Sequence, residues 1–307
     1  MSQIITKQQI NNILSTSRKN PDLWMRSFLG VEFWEKQVKI SESVRDNKKT
    51  AVASCHGSGK SFSAAAITLH FLFCYPGSIV LTTAPSFRQV KKILWQELRY
   101  MHRNAKVKLG GVLLGTELKV DDGWYAVGIA TNDSNRFQGI HPRTGYILVV
   151  IDEASGVKQE IWTAIEGILT TENSRLLAIG NPTEASGNFY ELFRSKDVEK
   201  FHISAFDLPN VKQKANVIKG LTTWEWVEDK KKRWGEHSPV YQSRVLGLFP
   251  KTSSHQVIPL SWVEKAIERW LVKVDKLKFG EHQNALGPIS AAGLDVSDGG
   301  ADRTILV

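Results

Sequence analysis

The chain has 307 residues, 42% of them hydrophobic and 23% charged, which suffices for one large α/β domain with additions or for two average domains. Its formal net charge of +9 permits a polyanionic partner, and its two cysteines lack zinc-site spacing, so neither a disulfide framework nor a cysteine metal cluster is implied. The N-terminus has no signal-peptide core, and the longest apolar stretch, at 64–75, is too short to span a bilayer. We expect no membrane association and a reducing, cytosolic setting.

The pattern of apolar residues predicts an α/β fold. Residues 1–46 have a polar, helical pattern, and from about 50 to 206 short β-branched runs alternate with amphipathic helical patterns. Such alternation indicates a mostly parallel, doubly wound sheet with helices on both faces. The predicted strands are 50–54, 78–83, 124–131, 146–151, 175–179 and 201–205, and the predicted helices are 61–73, 88–103 and 160–169.

The last third of the chain has a different composition. Residues 207–288 are rich in Lys and Trp, with helical patterns at 224–234 and 261–270, and a strand pattern returns at 289–307. We therefore divide the chain into an N-terminal helical segment (1–46), an α/β core (47–206), a helical linker or lid region (207–288) and the start of another domain (289–307). Because the sequence stops within a strand pattern, we expect that last domain to be truncated.

The most informative motif is the run Ser-Cys-His-Gly-Ser-Gly-Lys-Ser at residues 54–61, between a predicted strand and a predicted helix. Gly57 and Gly59 allow backbone N–H groups to curl around a triphosphate, and the positive end of the helix dipole adds to the attraction. Lys60 would reach the β- and γ-phosphates and Ser61 would hold Mg²⁺. Ser54 replaces the usual first glycine, and a solvated turn is the alternative interpretation. The predicted ATP-binding residues of the loop are Ser54, His56, Gly57, Ser58, Gly59, Lys60 and Ser61.

A second motif, Asp152-Glu153-Ala154, follows a continuous apolar strand. At the carboxyl end of that strand, Asp152 would hold Mg²⁺, and Glu153 would orient and deprotonate the attacking water. The alternative is that the pair merely caps the next helix. The joint occurrence with the glycine loop favours an ATP site.

Three weaker elements surround these motifs. Trp34 could cover an adenine and Gln37 could hydrogen-bond its edge, although an ordinary amphipathic helix would also explain them. Asn181 could sense the γ-phosphate or its water, or could belong to a plain Asn-Pro turn. The turn after the strand at 78–83, followed by Arg88, could face DNA or could cap the helix that begins at Phe87.

Taken in order, the motifs resemble those of the large subunit of tailed-phage (or prophage) terminases, the motors that package phage genomes. The motifs that carry this resemblance are Gln37, residues 54–61, Thr83-Ala-Pro, Asp152-Glu153-Ala, Gly180-Asn-Pro, Tyr241-x-x-Arg244-Val-Leu-Gly-Leu-Phe-Pro250 and Gly293-Leu-Asp295. The resemblance implies a RecA-like P-loop ATPase domain of the ASCE class, followed by a nuclease domain of ribonuclease-H-like fold.

The resemblance also implies roles for individual residues. Lys60 and Glu153 would be catalytic, and Asn181 would couple hydrolysis to motion. Ser61 and Asp152 would hold Mg²⁺, and Asp295 would be the first metal ligand of the nuclease. Family members often carry Arg where this chain has His56, a weaker and pH-dependent cation, so we expect another group, for which Arg136 is a candidate, to supply the missing charge.

The implied activity is ATP hydrolysis coupled to translocation of double-stranded DNA into a procapsid, with ATP and Mg²⁺ as cofactors. The implied partners are the portal protein, the terminase small subunit and further copies of the chain in a ring, in the host cell cytoplasm. Because only the first hairpin of the nuclease is present, we expect no endonuclease activity. The alternatives are a helicase-type DNA-dependent ATPase, which would need a second complete lobe, and a non-catalytic prophage remnant that binds DNA.

Overall fold

The structure is a computed structural model that describes residues 7–130, 137, 140, 144–250, 263–271, 294–295 and 305–306. The chain divides into two units, Met1–Pro250 and Lys251–Val307. In the second unit, the described residues form a helix over 263–271 and two short antiparallel strands, β9 (Leu294–Asp295) and β10 (Ile305–Leu306). The assignment of this hairpin to a ribonuclease-H-like domain stays a prediction.

The first unit is built on an eight-stranded sheet with the order β3-β4-β5-β2-β6-β7-β1-β8. Strands β5, β2, β6, β7, β1 and β8 run parallel to one another, and β4 and β3 add an antiparallel hairpin at one edge. The predicted mostly parallel α/β sheet is thereby confirmed. The bounds are β1 (Lys49–Ser54), β2 (Ile79–Thr83), β3 (Val112–Leu114), β4 (Glu117–Asp121), β5 (Trp124–Gly128), β6 (Ile147–Asp152), β7 (Ser174–Gly180) and β8 (Glu199–Ile203).

Helices cover both faces of the sheet, as the continuous apolar strands require. Every residue of β6 is buried, and its successive side chains enter two different hydrophobic clusters. Leu148 and Val150 pack with residues of α4 and α6, whereas Val149 and Ile151 pack with residues of α7 and α8. The helices on the two faces are α4 (Lys60–Cys74), α6 (Trp95–Arg103), α7 (Gln159–Ile168) and α8 (Gly187–Arg194).

The remaining helices of the first unit flank this core. They are α1 (Lys7–Lys19), α2 (Pro21–Trp24), α3 (Glu35–Asp46), α5 (Phe87–Gln89), α9 (Pro209–Lys212), α10 (Trp224–Trp234) and α11 (Pro239–Arg244). A π-helical turn, Val90–Leu94, joins α5 to α6, so the predicted helix at 88–103 is one helical run. Ser86 caps it by accepting a hydrogen bond from the Gln89 N–H, which is the capping interpretation of that turn.

The sequence did not predict the hairpin of β3 and β4 or helix α8. The hairpin strands are only three and five residues long, and each carries exposed positions, so they lack the buried apolar run that marked the central strands. The predicted strand at 124–131 ends at Gly128. Residues 207–250 lie in the first unit, and the domain boundaries at 46, 206 and 288 stay predictions. Among the described residues, no helix has the length and hydropathy that crossing a bilayer requires.

Candidate functional site

The candidate site lies where β1, β7 and β6 end, because these strands are parallel neighbours. Ala53 of β1 is opposite Gly180 of β7, and Ile179 of β7 is opposite Asp152 of β6. The residues that follow each strand therefore meet at one edge, where α/β sheets bind ligands. A cavity of about 550 Å³ opens there, which is within the range of small-molecule sites. A second cleft of similar volume lies near the starts of β1 and β7, and its described lining contains none of the motif residues.

Both loop positions require glycine, because their backbone is left-handed and because neighbouring atoms leave no room for a Cβ. Gly57 and Gly59 have φ values of 60° and 81°, in the left-handed region that disfavours side chains. A Cβ on Gly57 would lie 2.3 Å from the Thr222 hydroxyl, and one on Gly59 would lie 2.7 Å from the Gln37 amide nitrogen. The loop therefore takes a tight, glycine-dependent path into α4.

Ser54 fits the position where the motif usually has glycine. It is the last residue of β1, it is fully buried, and its backbone lies outside the left-handed region. Its hydroxyl shares a 2.5 Å hydrogen bond with the hydroxyl of Ser58, across the loop. A side chain therefore fits at this position, and its hydrogen bond to Ser58 stabilises the loop.

Lys60 is the first residue of α4, and its ammonium group is the centre of the site. Only 8% of the residue is exposed. Its Nζ donates hydrogen bonds to the Cys55 carbonyl at 3.1 Å and to Asn181 Oδ1 at 3.3 Å, and lies 3.9 Å from Glu153 Oε1. The loop, the end of β7 and the end of β6 therefore all meet at one ammonium group.

Ser61 and Asp152 form a second contact between the loop and β6. The Ser61 hydroxyl donates to Asp152 Oδ2 at 2.6 Å. Asp152 is buried, and burial together with the neighbouring charge of Glu153 raises the pKa of its carboxyl to about 6. A hydroxyl and a carboxylate side by side are oxygen ligands of the type that Mg²⁺ accepts.

Glu153 has a left-handed backbone, with φ 51° and ψ 47°. A non-glycine residue in this region costs about 1 kcal/mol or more, and such outliers cluster at functional sites. The turn packs closely against Gly180, since a Cβ on that glycine would lie only 2.8 Å from the Ala154 nitrogen. The Glu153 side chain is about one-third exposed. The turn thus brings a carboxylate that water can reach beside Lys60.

Asn181 follows β7 and connects the other two strands. Its Nδ2 donates to the Ser54 carbonyl at 2.5 Å, its Oδ1 accepts from Lys60, and its own carbonyl accepts a hydrogen bond from the Ser155 hydroxyl. The residue is 4% exposed. Its side chain is therefore placed to respond to any movement of Lys60.

Gln37 hydrogen-bonds to the start of α4 and also lines the cavity, whereas Trp34 packs in the core. The Gln37 Nε2 donates to the Ser63 hydroxyl at 2.8 Å and to the Gly59 carbonyl at 3.4 Å, while its Oε1 accepts from the Trp34 N–H. Trp34 is 9% exposed, packs in the main hydrophobic cluster and is absent from the described lining of the cavity. The prediction that its ring covers an adenine therefore has no support from its position.

The surroundings of His56 disfavour its charged form. Burial, with the nearby charges of Lys60 and Arg244, lowers the pKa of its imidazole to about 4, so it is neutral at pH 7. The expectation of a weak, pH-dependent cation at this position stays a prediction, because the negative charge of a bound phosphate would favour the protonated imidazole. Arg136 lies outside the described residues. Asp295 is described only as part of β9, in the second unit.

A segment outside all of the predicted motifs packs against the loop. The Thr222 N–H donates to the Gly57 carbonyl at 2.9 Å, and its hydroxyl donates to the His56 carbonyl at 2.8 Å. The segment around Thr222 also lines the cavity. Because it lies 166 residues beyond the loop, no local motif connects the two.

No family model matches the chain. The probable terminase large subunit of Enterobacteria phage P7 is 26% identical over 258 residues, or 79% of this chain and 50% of that protein. The chain thus spans about half the length of the curated relative it matches.

Two solved structures are similar in fold. The ATPase domain of the large terminase of Thermus phage P74-26 aligns with a TM-score of 0.59 at 20% identity, over 75% of this chain and 99% of that domain. The large terminase of a thermophilic bacteriophage, in complex with ADP, aligns with a TM-score of 0.54 at 14% identity, over 71% of this chain and 54% of that one.

The sheet order and the glycine loop define a RecA-like P-loop fold of the kind found in terminase ATPase domains. The resemblance to the large subunit of phage terminases, which the motifs predicted, is confirmed by these comparisons.

Proposed function

We propose that this chain is the ATPase portion of a phage terminase large subunit, which hydrolyses ATP to move double-stranded DNA into a procapsid. It would act as a homo-oligomeric ring with the portal protein and the terminase small subunit, in the cytoplasm of an infected or lysogenic host cell. The observation that carries the proposal is the convergence of Lys60, Asn181 and Glu153, with the Lys60 Nζ 3.3 Å from the Asn181 amide oxygen and 3.9 Å from the Glu153 carboxylate.

In this proposal the loop binds the triphosphate and the carboxylates act on water. Backbone N–H groups of the loop and the start of α4 surround the phosphates, and Lys60 exchanges its contacts with the protein for contacts with phosphate oxygens. Glu153, which water can reach, orients the attacking water and takes its proton. Asn181 loses a partner when Lys60 moves, so the end of β7 responds to the nucleotide.

The Mg²⁺ that accompanies ATP would be held by Ser61 and Asp152. Two ligands of an octahedral Mg²⁺ lie about 3 Å apart, and the two oxygens here are 2.6 Å apart, so the pair fits with little adjustment. The raised pKa of Asp152 also fits, because it reflects burial and repulsion from Glu153 that a cation would offset. When bound, the ion would neutralise developing charge on the phosphate oxygens.

The test is ATP hydrolysis by the purified chain and by two variants. Glu153→Gln keeps a polar side chain of the same size but no base, so we expect it to bind ATP normally and to lose about 10²- to 10⁴-fold in turnover. Lys60→Ala should lose nucleotide binding itself. Unchanged hydrolysis in Glu153→Gln would contradict the assignment of the base. Hydrolysis that does not depend on Lys60 would contradict the ATPase proposal and favour the non-catalytic alternative.

For the contact with DNA, we propose the helical run that follows β2. Arg88, Lys91 and Lys92 are exposed there, and among the described residues none of them is recorded in an ion pair. By contrast, the basic run of α10 is largely neutralised, since Lys230 and Arg233 pair with Asp229 and Lys231 pairs with Glu236. Unpaired cations on an exposed helix are better suited to phosphates than paired ones.

Binding of duplex DNA at several salt concentrations tests this surface. The double variant Lys91→Ala, Lys92→Ala should bind more weakly, and the slope of log K against log salt should become shallower by about 1.8, or 0.9 per lost phosphate contact. Lys231→Ala, which removes a paired lysine, is the matched control and should change the slope little. Equal effects of the two variants would rule out the helix after β2 as the DNA contact.

A further inference from the structure

The segment 216–222 is attached directly to the phosphate-binding loop. Thr222 donates two hydrogen bonds to it, from its N–H to the Gly57 carbonyl and from its hydroxyl to the His56 carbonyl. Leu221 packs near Gly59, because a Cβ there would lie 3.5 Å from its methyl carbon. The segment therefore follows the loop closely and forms one wall of the same cavity.

A single buried side chain, Asn210, fixes the shape of this segment. It is fully buried, and its Oδ1 accepts a hydrogen bond from the Ile218 N–H at 2.8 Å. Its Nδ2 donates to the Ile218 carbonyl at 2.9 Å, to the Leu221 carbonyl at 3.2 Å and to Asn216 Oδ1 at 3.2 Å. Buried amides bonded this fully are specific constraints on backbone path. The backbone on both sides of Lys219 is therefore held in place.

Lys219 lines the cavity together with Lys60, Ser61 and the loop glycines. Its side chain is exposed, and in the part of the chain that the structure describes no hydrogen bond or ion pair is recorded for its amine. A lysine with an anchored backbone and a free amine is a suitable donor to an anion that enters the cavity.

The site has a use for such a cation. Lys60 is the one lysine or arginine in residues 54–61, and burial together with the charges of Lys60 and Arg244 lowers the pKa of the His56 imidazole to about 4, so the loop itself supplies one fixed positive charge. A triphosphate that enters the cavity carries several negative charges, so a second cation in the cavity lining would add a charge-assisted contact.

We infer that Lys219 is a second phosphate-binding cation of this site, and that Asn210 is the positioning residue that presents it to the nucleotide. The inference rests on the proposed ATPase function and adds to it a binding residue contributed by a distant segment. The charge that the loop lacks is supplied, in this view, from within the same chain.

The first experiment measures binding of fluorescently labelled ATP and ADP to Lys219→Ala, Lys219→Arg and Lys212→Ala. Loss of one charge-assisted hydrogen bond should weaken ATP binding of Lys219→Ala by about tenfold or more. Lys219→Arg should restore most of it, because the charge is kept. Lys212→Ala, an exposed lysine of the same region that is not part of the cavity lining, should bind as the wild type does. Wild-type affinity in Lys219→Ala would overturn the inference.

The second experiment separates positioning from general stability. Asn210→Ala should also weaken ATP binding, and adding Lys219→Ala to it should cause little further loss, because the amine is no longer presented. Independent, multiplicative losses would overturn the positioning role, and thermal melts identify any variant that is unfolded. If Lys60→Ala reduces nucleotide binding but Lys219→Ala does not, only this inference fails. If Lys60→Ala has no effect, the proposed function itself fails.

Discussion

Replacing Gly180 by alanine tests whether the turn that carries Glu153, the proposed base, depends on the neighbouring strand. Gly180 is the last residue of β7, and its own φ lies outside the left-handed region, so alanine suits its backbone. The added Cβ, however, would lie 2.8 Å from the Ala154 nitrogen and 3.3 Å from the Glu153 carbonyl carbon. Both contacts are with backbone, which cannot rotate away.

The size of the effect follows from these distances. To reach an ordinary van der Waals separation of about 3.4 Å, the turn and the strand must move apart by about 0.6 Å. Overpacking of this kind typically costs about 1–3 kcal/mol of stability. A displacement of about 1 Å at a catalytic group can cost about 10²-fold in rate, so we expect turnover to fall by about ten- to a hundredfold. Nucleotide binding should change less than turnover, because the atoms nearest to the added Cβ belong to the turn at Glu153 and Ala154 and not to the glycine loop.

The assay compares kcat, nucleotide affinity and denaturant unfolding of Gly180→Ala with those of Gly167→Ala. Gly167 lies in helix α7 and a Cβ there would contact nothing within 4 Å, so the same substitution should leave turnover unchanged and stabilise by up to about 1 kcal/mol. Wild-type stability together with wild-type turnover in Gly180→Ala would show that the turn at Glu153 does not depend on Gly180. A loss of stability without a loss of turnover at a temperature where the variant is folded would show that the turn tolerates the shift.

Two further predictions concern stability. Ser54→Gly restores the usual motif but should lower the free energy of unfolding, measured in denaturant, by about 1–2 kcal/mol. The reason is that the substitution removes the hydrogen bond to Ser58 and adds backbone freedom to the unfolded chain. A variant more stable than the wild type would contradict this account of Ser54. His70 is buried, and burial lowers its pKa from 6.5 to about 4, so below pH 6.5 the unfolded chain binds a proton that the folded chain does not. The free energy of unfolding should therefore fall as the pH drops from about 6.5 to 4, and this residue contributes at most about 3 kcal/mol to the fall. Unfolding curves of His70→Gln should show a shallower pH dependence than those of the wild type. Equal pH dependence of the two proteins would contradict the role of His70.

The central sheet and the core of the site were predictable because each depends on local sequence. A strand buried on both faces must be apolar throughout, which made Ile147–Asp152 recognisable, and the glycine loop needs its residues at fixed spacing. Once the strands were taken as parallel, the positions of Lys60, Asp152 and Asn181 followed, since the carboxyl ends of neighbouring strands meet at one edge.

The rest could not be predicted because it depends on long-range contacts. The two hydrogen bonds of Thr222 and the four of Asn210 are made by ordinary polar residues outside any motif. The direction of the Trp34 ring is likewise decided by packing, and an aromatic residue before a helix does not reveal whether it faces the core or a ligand. The neutrality of His56 required knowledge of its burial and of the charges around it.

The position of β7 explains why Asn181 links the two halves of the site. Because β7 lies between β1 and β6, the residue that follows it faces the loop on one side and the Asp-Glu turn on the other. Asn181 hydrogen-bonds to Ser54 and Lys60 of the glycine loop, and it accepts a hydrogen bond from Ser155, which follows the Asp-Glu turn. A nucleotide whose phosphates drew the Lys60 amine away would lengthen its contact with Asn181, and the Asn181 amide could follow only by disturbing its hydrogen bond to the Ser54 carbonyl. Under the proposed function, a change at the phosphates would therefore alter the end of a central strand, as a DNA-translocating ATPase would require.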